Sequence, residues 1–200
     1  HKLSSRVHDD LADTDKAASM PPVLTFQSIV DNTVGATAIV STVYDRLPAN
    51  GSELVLYDVN RNSTMLHLMV DVPADPADYF TALAPLDFDV AILRNRDPSS
   101  NAIDVQTLAA GQTEAMSTET KLRWPTEIYS LSHIAIPFRP DDMLYGDGSL
   151  SDDSDAVLGA LAPRGERDVL LLEPDFFLRI RHNPFFGFQS QRLTEWLDEL

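Results

Sequence analysis

The chain has 200 residues, 44% of them apolar, enough to bury one sizeable core, and a single domain over 1–200 is expected. With 31 acidic residues against 15 basic ones, its net charge of -16 argues against nucleic acid and anionic membranes as partners. It has no cysteine, which excludes disulfides, thiolate catalysis and thiolate metal ligation, and no apolar run reaches the roughly 20 residues of a membrane-spanning helix.

Residues 1–20 are polar and charged and read as a flexible lead or a surface helix. Pro21-Pro22 stops any helix there, because proline lacks an N–H and restricts the residue before it. The run 23–27 (V-L-T-F-Q) has the apolar character of a buried parallel strand. Residues 28–33 (S-I-V-D-N-T) are turn formers and read as a loop. From Gly35 the period becomes helical: Ala36, Ile39, Val40, Val43, Tyr44 and Leu47 fall on one face. Pro48 to Gly51 ends that helix, and 53–59 (E-L-V-L-Y-D-V) reads as a second buried strand. Strand, helix and strand within about 35 residues make a βαβ unit, with parallel pairing and a right-handed crossover.

Farther on, 64–70 is a short helix or strand, 76–84 a helix, and 89–94 (D-V-A-I-L-R) another strand. The stretch 101–122 is polar, with no strong period. Residues 127–136 have strand character and are cut by Pro137, 139–155 form a long acidic loop, and 169–172 is a last short strand. Leu193, Trp196, Leu197 and Leu200 at helical spacing predict an amphipathic helix over 186–200.

Two positions invite chemistry. Asp31 follows a buried parallel strand, the edge at which open α/β sheets collect functional groups. A carboxylate there either orients a histidine for acyl transfer or caps the helix beginning near Gly35. His133, in Y-S-L-S-H-I-A-I-P-F, stands among small hydroxyls before Pro137 as an exposed base or a structural histidine. His67, in M-L-H-L-M, follows the second strand more closely and is the rival base. His182, His1 and His8 carry less. A faint calcium-loop pattern at 147–153 lacks the glycine and closing glutamate of such loops. The aromatics Phe176, Phe177, Phe185, Phe186, Phe188 and Trp196 are assigned to core ahead of a lipid-contacting patch.

The stretch 22–61, the run 124–146 (W-P-T-E-I-Y-S-L-S-H-I-A-I-P-F-R-P-D-D-M-L-Y-G), P-R-G-E-R at 163–167 and R-I-R-H-N-P-F-F at 179–186 resemble the C-terminal half of α/β-hydrolases of the lysophospholipase-like, serine-aminopeptidase-type group. The resemblance implies a partial α/β-hydrolase: a parallel sheet with flanking helices, Asp31 as triad acid and His133 as triad base. It also implies a small-molecule or lipid ester as substrate, and no cofactor. The chain departs from that group in one respect. The G-x-S-x-G elbow that presents the serine should precede the acid, and no serine before Asp31 has that glycine setting. With His1 at the start, the expectation is that the nucleophile lies in an N-terminal half outside this chain, which would pair with that half or with a second copy. The connection of about 70 residues between the second strand and His133 is expected to carry structure of its own, an inserted subdomain over 60–125. The reading from another class is a non-catalytic interaction domain derived from a hydrolase half.

Overall fold

Every residue of Glu53–Asp58 is buried, the state of a strand flanked on both edges and covered on both faces. In the computed structural model of the protein, which describes residues 9–31, 34–61, 66–67, 69–125, 138–150 and 182–199, this strand is β2. It belongs to a five-stranded sheet in the order β1-β2-β3-β4-β5. The other strands are β1 (Leu24–Ser28), β3 (Asp89–Asn95), β4 (Ile103–Leu108) and β5 (Met116–Thr118). The helices that flank it include α1 (Thr14–Ala18), α2 (Ala36–Thr42), α3 (Pro76–Leu83) and α4 (Phe186–Asp198). The fold is of the α/β type. The βαβ unit stands as expected, with Phe26 beside Val55 in a parallel ladder, and β3 adds a third parallel strand.

The sheet is mixed, however, where a parallel one was expected. β4 and β5 run antiparallel. Only residues 96–102 separate β3 from β4, and a parallel return needs a crossover of about a dozen residues or more. The stretch without a strong period thus contains two strands. In β4, Ile103 and Val105 join the core on one face, while on the other Asp104 and Gln106 bond Arg96 and Arg94 and Leu108 joins the second core cluster. The residues expected as an insertion supply β3, β4 and β5, so they extend the same sheet that begins with β1.

α2 is shorter than its apolar period. It ends at Thr42 and a 3-10 turn, Tyr44–Arg46, carries the chain on. Ile39, Val40, Thr42 and Val43 are β-branched, and the Ser41 and Thr42 hydroxyls donate back to the Ala38 carbonyl, all of which weaken a helix. Val40, Tyr44 and Leu47 nevertheless stay on one buried side with Leu54, Leu56, Val90, Ile92, Phe80 and Phe88. The opposite face of the sheet is covered by Trp124 and Phe185, packed on Val55, Tyr57, Ala91 and Leu93.

α3 begins at a designed-looking boundary: Asp75 caps it by accepting from the Ala77 amide at 2.9 Å, and Pro76 occupies the first turn. α4 forms where expected, but the predicted apolar stripe is not its anchor. None of its residues is buried, and Leu193 and Leu197 are exposed. It docks through Phe188, which packs on the core beside Phe185, and through polar contacts with the start of β2. Arg192 meets Glu53, and the Trp196 indole donates to the Gly51 carbonyl at 2.9 Å. Gly51 takes a φ of 83°, which favours glycine at this turn. Among the described residues no helix is long and apolar enough to cross a membrane. The strands expected at 127–136 and 169–172 lie outside the described residues.

Candidate functional site

Three parallel strands end side by side, and their carboxyl ends carry most of the polar groups buried in the sheet. β1 ends with Gln27 and Ser28, β2 with Asp58 followed by Asn60, and β3 with Asn95. The positions follow from the sequence. Each strand is an apolar run that stops at a polar residue, and the parallel direction sends all three stops to one edge.

Asp31 lies three residues beyond Ser28, half-buried, in the turn that follows β1. Its Oδ1 accepts from the Val34 amide at 3.2 Å and its Oδ2 from Gln27 Nε2 at 3.2 Å. The same Gln27 amide donates to the Val34 carbonyl at 2.7 Å, so this one buried side chain ties both ends of the loop. The helix cap is elsewhere: Gly35 is the N-cap of α2, with no side-chain bond. Asp31 therefore holds its own loop without capping the helix.

At the end of β2, Asp58 is buried at 1% exposure, and burial pushes its carboxyl above the ordinary range, with Arg61 opposing. The Arg61 Nε–Oδ2 contact is 2.5 Å. Arg61 is saturated further by the Pro73 and Ala74 carbonyls, at 3.0 and 2.9 Å, and its backbone amide donates to Asn95 Oδ1 at 2.8 Å. Arg94 makes two bonds to Asp75, at 3.2 and 2.7 Å, and Arg96 holds Asp104. Burial raises the Asp75 carboxyl, but Arg94 and the Ala77 amide outweigh it, and the net shift is downward. Among the described residues, Arg61, Arg94 and Arg96 at this edge are each committed to a carboxylate.

Asn60 differs from these satisfied groups, as does the buried Tyr57 hydroxyl beside it, which is also unmet. Asn60 is 3% exposed, and neither Nδ2 nor Oδ1 has a hydrogen-bond partner. Leaving a buried polar atom unmet costs on the order of 1–3 kcal/mol. Because both atoms are unmet, the conclusion holds whichever way the amide is turned. A cavity of about 200 Å³ lies on the helical side of this edge, lined by Ile29, Gly35, Leu56, Pro73, Tyr79 and Phe80.

The histidines divide. His133 lies outside the described residues. His67 is exposed, and among the described residues it makes no hydrogen bond to Asp31. His182, which carried little weight in the sequence, is buried at 5% exposure beside Asn183 and Phe185, with Nδ1 unpartnered. Burial lowers its pKa and the nearby Asp147 partly offsets this. The residues that sequence reasoning passed over are Gln27, Asn60 and Asn95. The signal for them was a lone amide at the end of an otherwise apolar strand.

No protein-family model, no curated protein and no solved structure matches the chain.

Proposed function

We propose that this chain is the acid- and histidine-bearing part of a serine hydrolase for carboxylic esters, with Asp31 as the acid and His133 as the base. The observation that carries it is the position of Asp31: a half-buried carboxylate one turn past a parallel strand, held by Gln27 and the Val34 amide and not used as a helix cap. In that role the carboxylate would fix the imidazole tautomer and favour the imidazolium formed when His133 takes the serine proton. The serine would come from outside this chain. The apolar cavity beside Ile29 and Gly35 has room for a short acyl chain.

Two measurements test this. In the chain alone, a His133 ring N–H bonded to a carboxylate gives a far-downfield proton signal, which Asp31→Asn should abolish. In the full-length gene product, Asp31→Asn and His133→Ala should each lower p-nitrophenyl ester hydrolysis by roughly 10³-fold or more. Unchanged hydrolysis in both variants rules the assignment out. The alternative, a non-catalytic interaction domain, draws on Leu193 and Leu197, which α4 leaves exposed. It predicts no ester hydrolysis by the full-length product.

A further inference from the structure

Gly35 is a glycine without a backbone reason. Its φ of -68° is one that any residue adopts, and an added Cβ would meet nothing within 4 Å. Neither a left-handed turn nor a close approach therefore calls for it. As the N-cap of α2 it supplies no side-chain bond, which serine or asparagine would. What its bare backbone leaves open is the cavity of about 200 Å³ that it lines.

That cavity has a floor and a rim. Val40, Leu56 and Phe80 are buried and close its inner end, while Gly35, Thr37 and Tyr79 are exposed and stand at its opening. No charged side chain lines it. Its wall at 73–76 is fixed from the sheet edge. Arg61, held by Asp58, donates to the Pro73 and Ala74 carbonyls at 3.0 and 2.9 Å, and Arg94 holds the Asp75 carboxylate that caps α3. A pre-formed apolar cavity of this kind takes an apolar guest without the cost of ordering its walls. A cavity of about 150 Å³ takes up benzene, with its six carbons, so about 200 Å³ has room for about eight. Ile29 and Gly35 bracket the loop that carries Asp31, so the opening lies beside that loop.

We infer that this cavity takes the unbranched hydrocarbon tail of a neutral ligand, up to about eight carbons long, and that the bare Gly35 admits it. In the hydrolase that tail is the acyl group of the ester, so medium-chain esters are preferred to long-chain ones. The substrate statement rests on the hydrolase proposal; the tail site does not.

The test titrates the chain with 1-butanol, 1-hexanol, 1-octanol and 1-decanol, read at the methyl signals of Val40 and Leu56, each 1% exposed. Affinity should rise by about four-fold per methylene as far as 1-octanol and level off at 1-decanol. Gly35→Leu should weaken 1-octanol binding by roughly ten-fold or more, and Gly35→Ala, which keeps the test open if leucine prevents folding, by about two-fold or more. Three results overturn the inference: no response at Val40 and Leu56, an affinity that keeps rising past 1-octanol, or folded Gly35 variants that bind as tightly as the parent chain. In the full-length gene product, Gly35→Leu should lower the rate on p-nitrophenyl octanoate relative to the acetate by roughly ten-fold or more. If the alkanols bind as described but the full-length product hydrolyses no ester, the tail site stands and the hydrolase proposal falls. If hydrolysis depends on Asp31 and His133 while the alkanols do not bind and the octanoate-to-acetate ratio ignores Gly35, the reverse holds.

Discussion

Arg192→Met separates the partners of a pair that closes the fold from 139 residues apart. Glu53, the first residue of β2, is 1% exposed, and Arg192 reaches both its oxygens, at 2.8 and 3.0 Å. Methionine keeps much of the apolar stem and removes the charge, so the carboxylate stays buried without its cation. Breaking a buried pair costs about 3–5 kcal/mol, and the partial exposure of Arg192 argues for the lower end. At roughly 2–4 °C per kcal/mol for a chain of this size, the melting temperature should fall by about 6–12 °C. The pH dependence gives the sharper test. Burial already holds the Glu53 carboxyl above its ordinary value, with Asp89 and Glu199 adding to the shift and Arg192 opposing it. A raised carboxyl binds its proton more tightly in the folded state than in the unfolded one. Its favourable contribution is therefore complete below the ordinary glutamate value of about 4.3 and declines as pH rises through the folded value. Without Arg192 the folded value rises further, so the deficit of the variant should be small near pH 4.5 and grow toward pH 8, windows set by that ordinary value of roughly 4.3. Urea unfolding at steps across this range, with Glu53→Gln/Arg192→Met as control, measures it. The control should recover most of the loss at neutral pH, because no buried charge is left behind. A deficit under about 1 kcal/mol, or one that does not change with pH, would refute the account, since breaking a buried pair should cost several times that.

Three further outcomes follow from the same packing. Burial raises the Tyr44 phenol to about 12, and its hydroxyl donates to the Glu53 carbonyl at 2.5 Å. Its contribution to stability is therefore complete below about pH 10 and lost as pH rises toward the folded value. Tyr44→Phe should cost about 1–1.5 kcal/mol at neutral pH and flatten alkaline unfolding, followed by circular dichroism. Phe185→Ala should cost about 3–5 kcal/mol in denaturant unfolding, because the ring is fully buried with Tyr57 and Trp124 each 5.7 Å away. Gln27→Leu removes the donor that holds the Asp31 loop at both ends; it should cost about 1–3 kcal/mol and speed amide exchange at Val34, while Gln27→Glu should not restore the loop.

Glu53–Arg192 also shows how far sequence reasoning reached and why it stopped. The strand at Glu53 was legible because a run of apolar residues bounded by Gly51 and Asp58 has few other uses in a folded chain. The role of its first residue was not, because its partner lies 139 positions away and no local pattern points to it. α4 illustrates the same limit. Its helical period was correct, yet period predicts which residues could face a core, not whether a core is there to receive them. Leu193 and Leu197 remain exposed, while Phe188 at the first turn packs on the core and Arg192 and Trp196 complete the attachment.

For the site, the sequence by itself determined that Asp31 follows a parallel strand, since strand, helix and strand in short order allow no other direction of pairing. Hydrophobic period and loop length are local properties, and local properties decide which elements form. Only the tertiary structure decided that Gln27 and the Val34 amide hold Asp31 while Gly35 caps the helix, that β4 and β5 continue the sheet, and that Asn60 is enclosed without partners. Those outcomes depend on which groups are brought within hydrogen-bond distance and which lose contact with water. Distance and desolvation are settled by the whole packed chain.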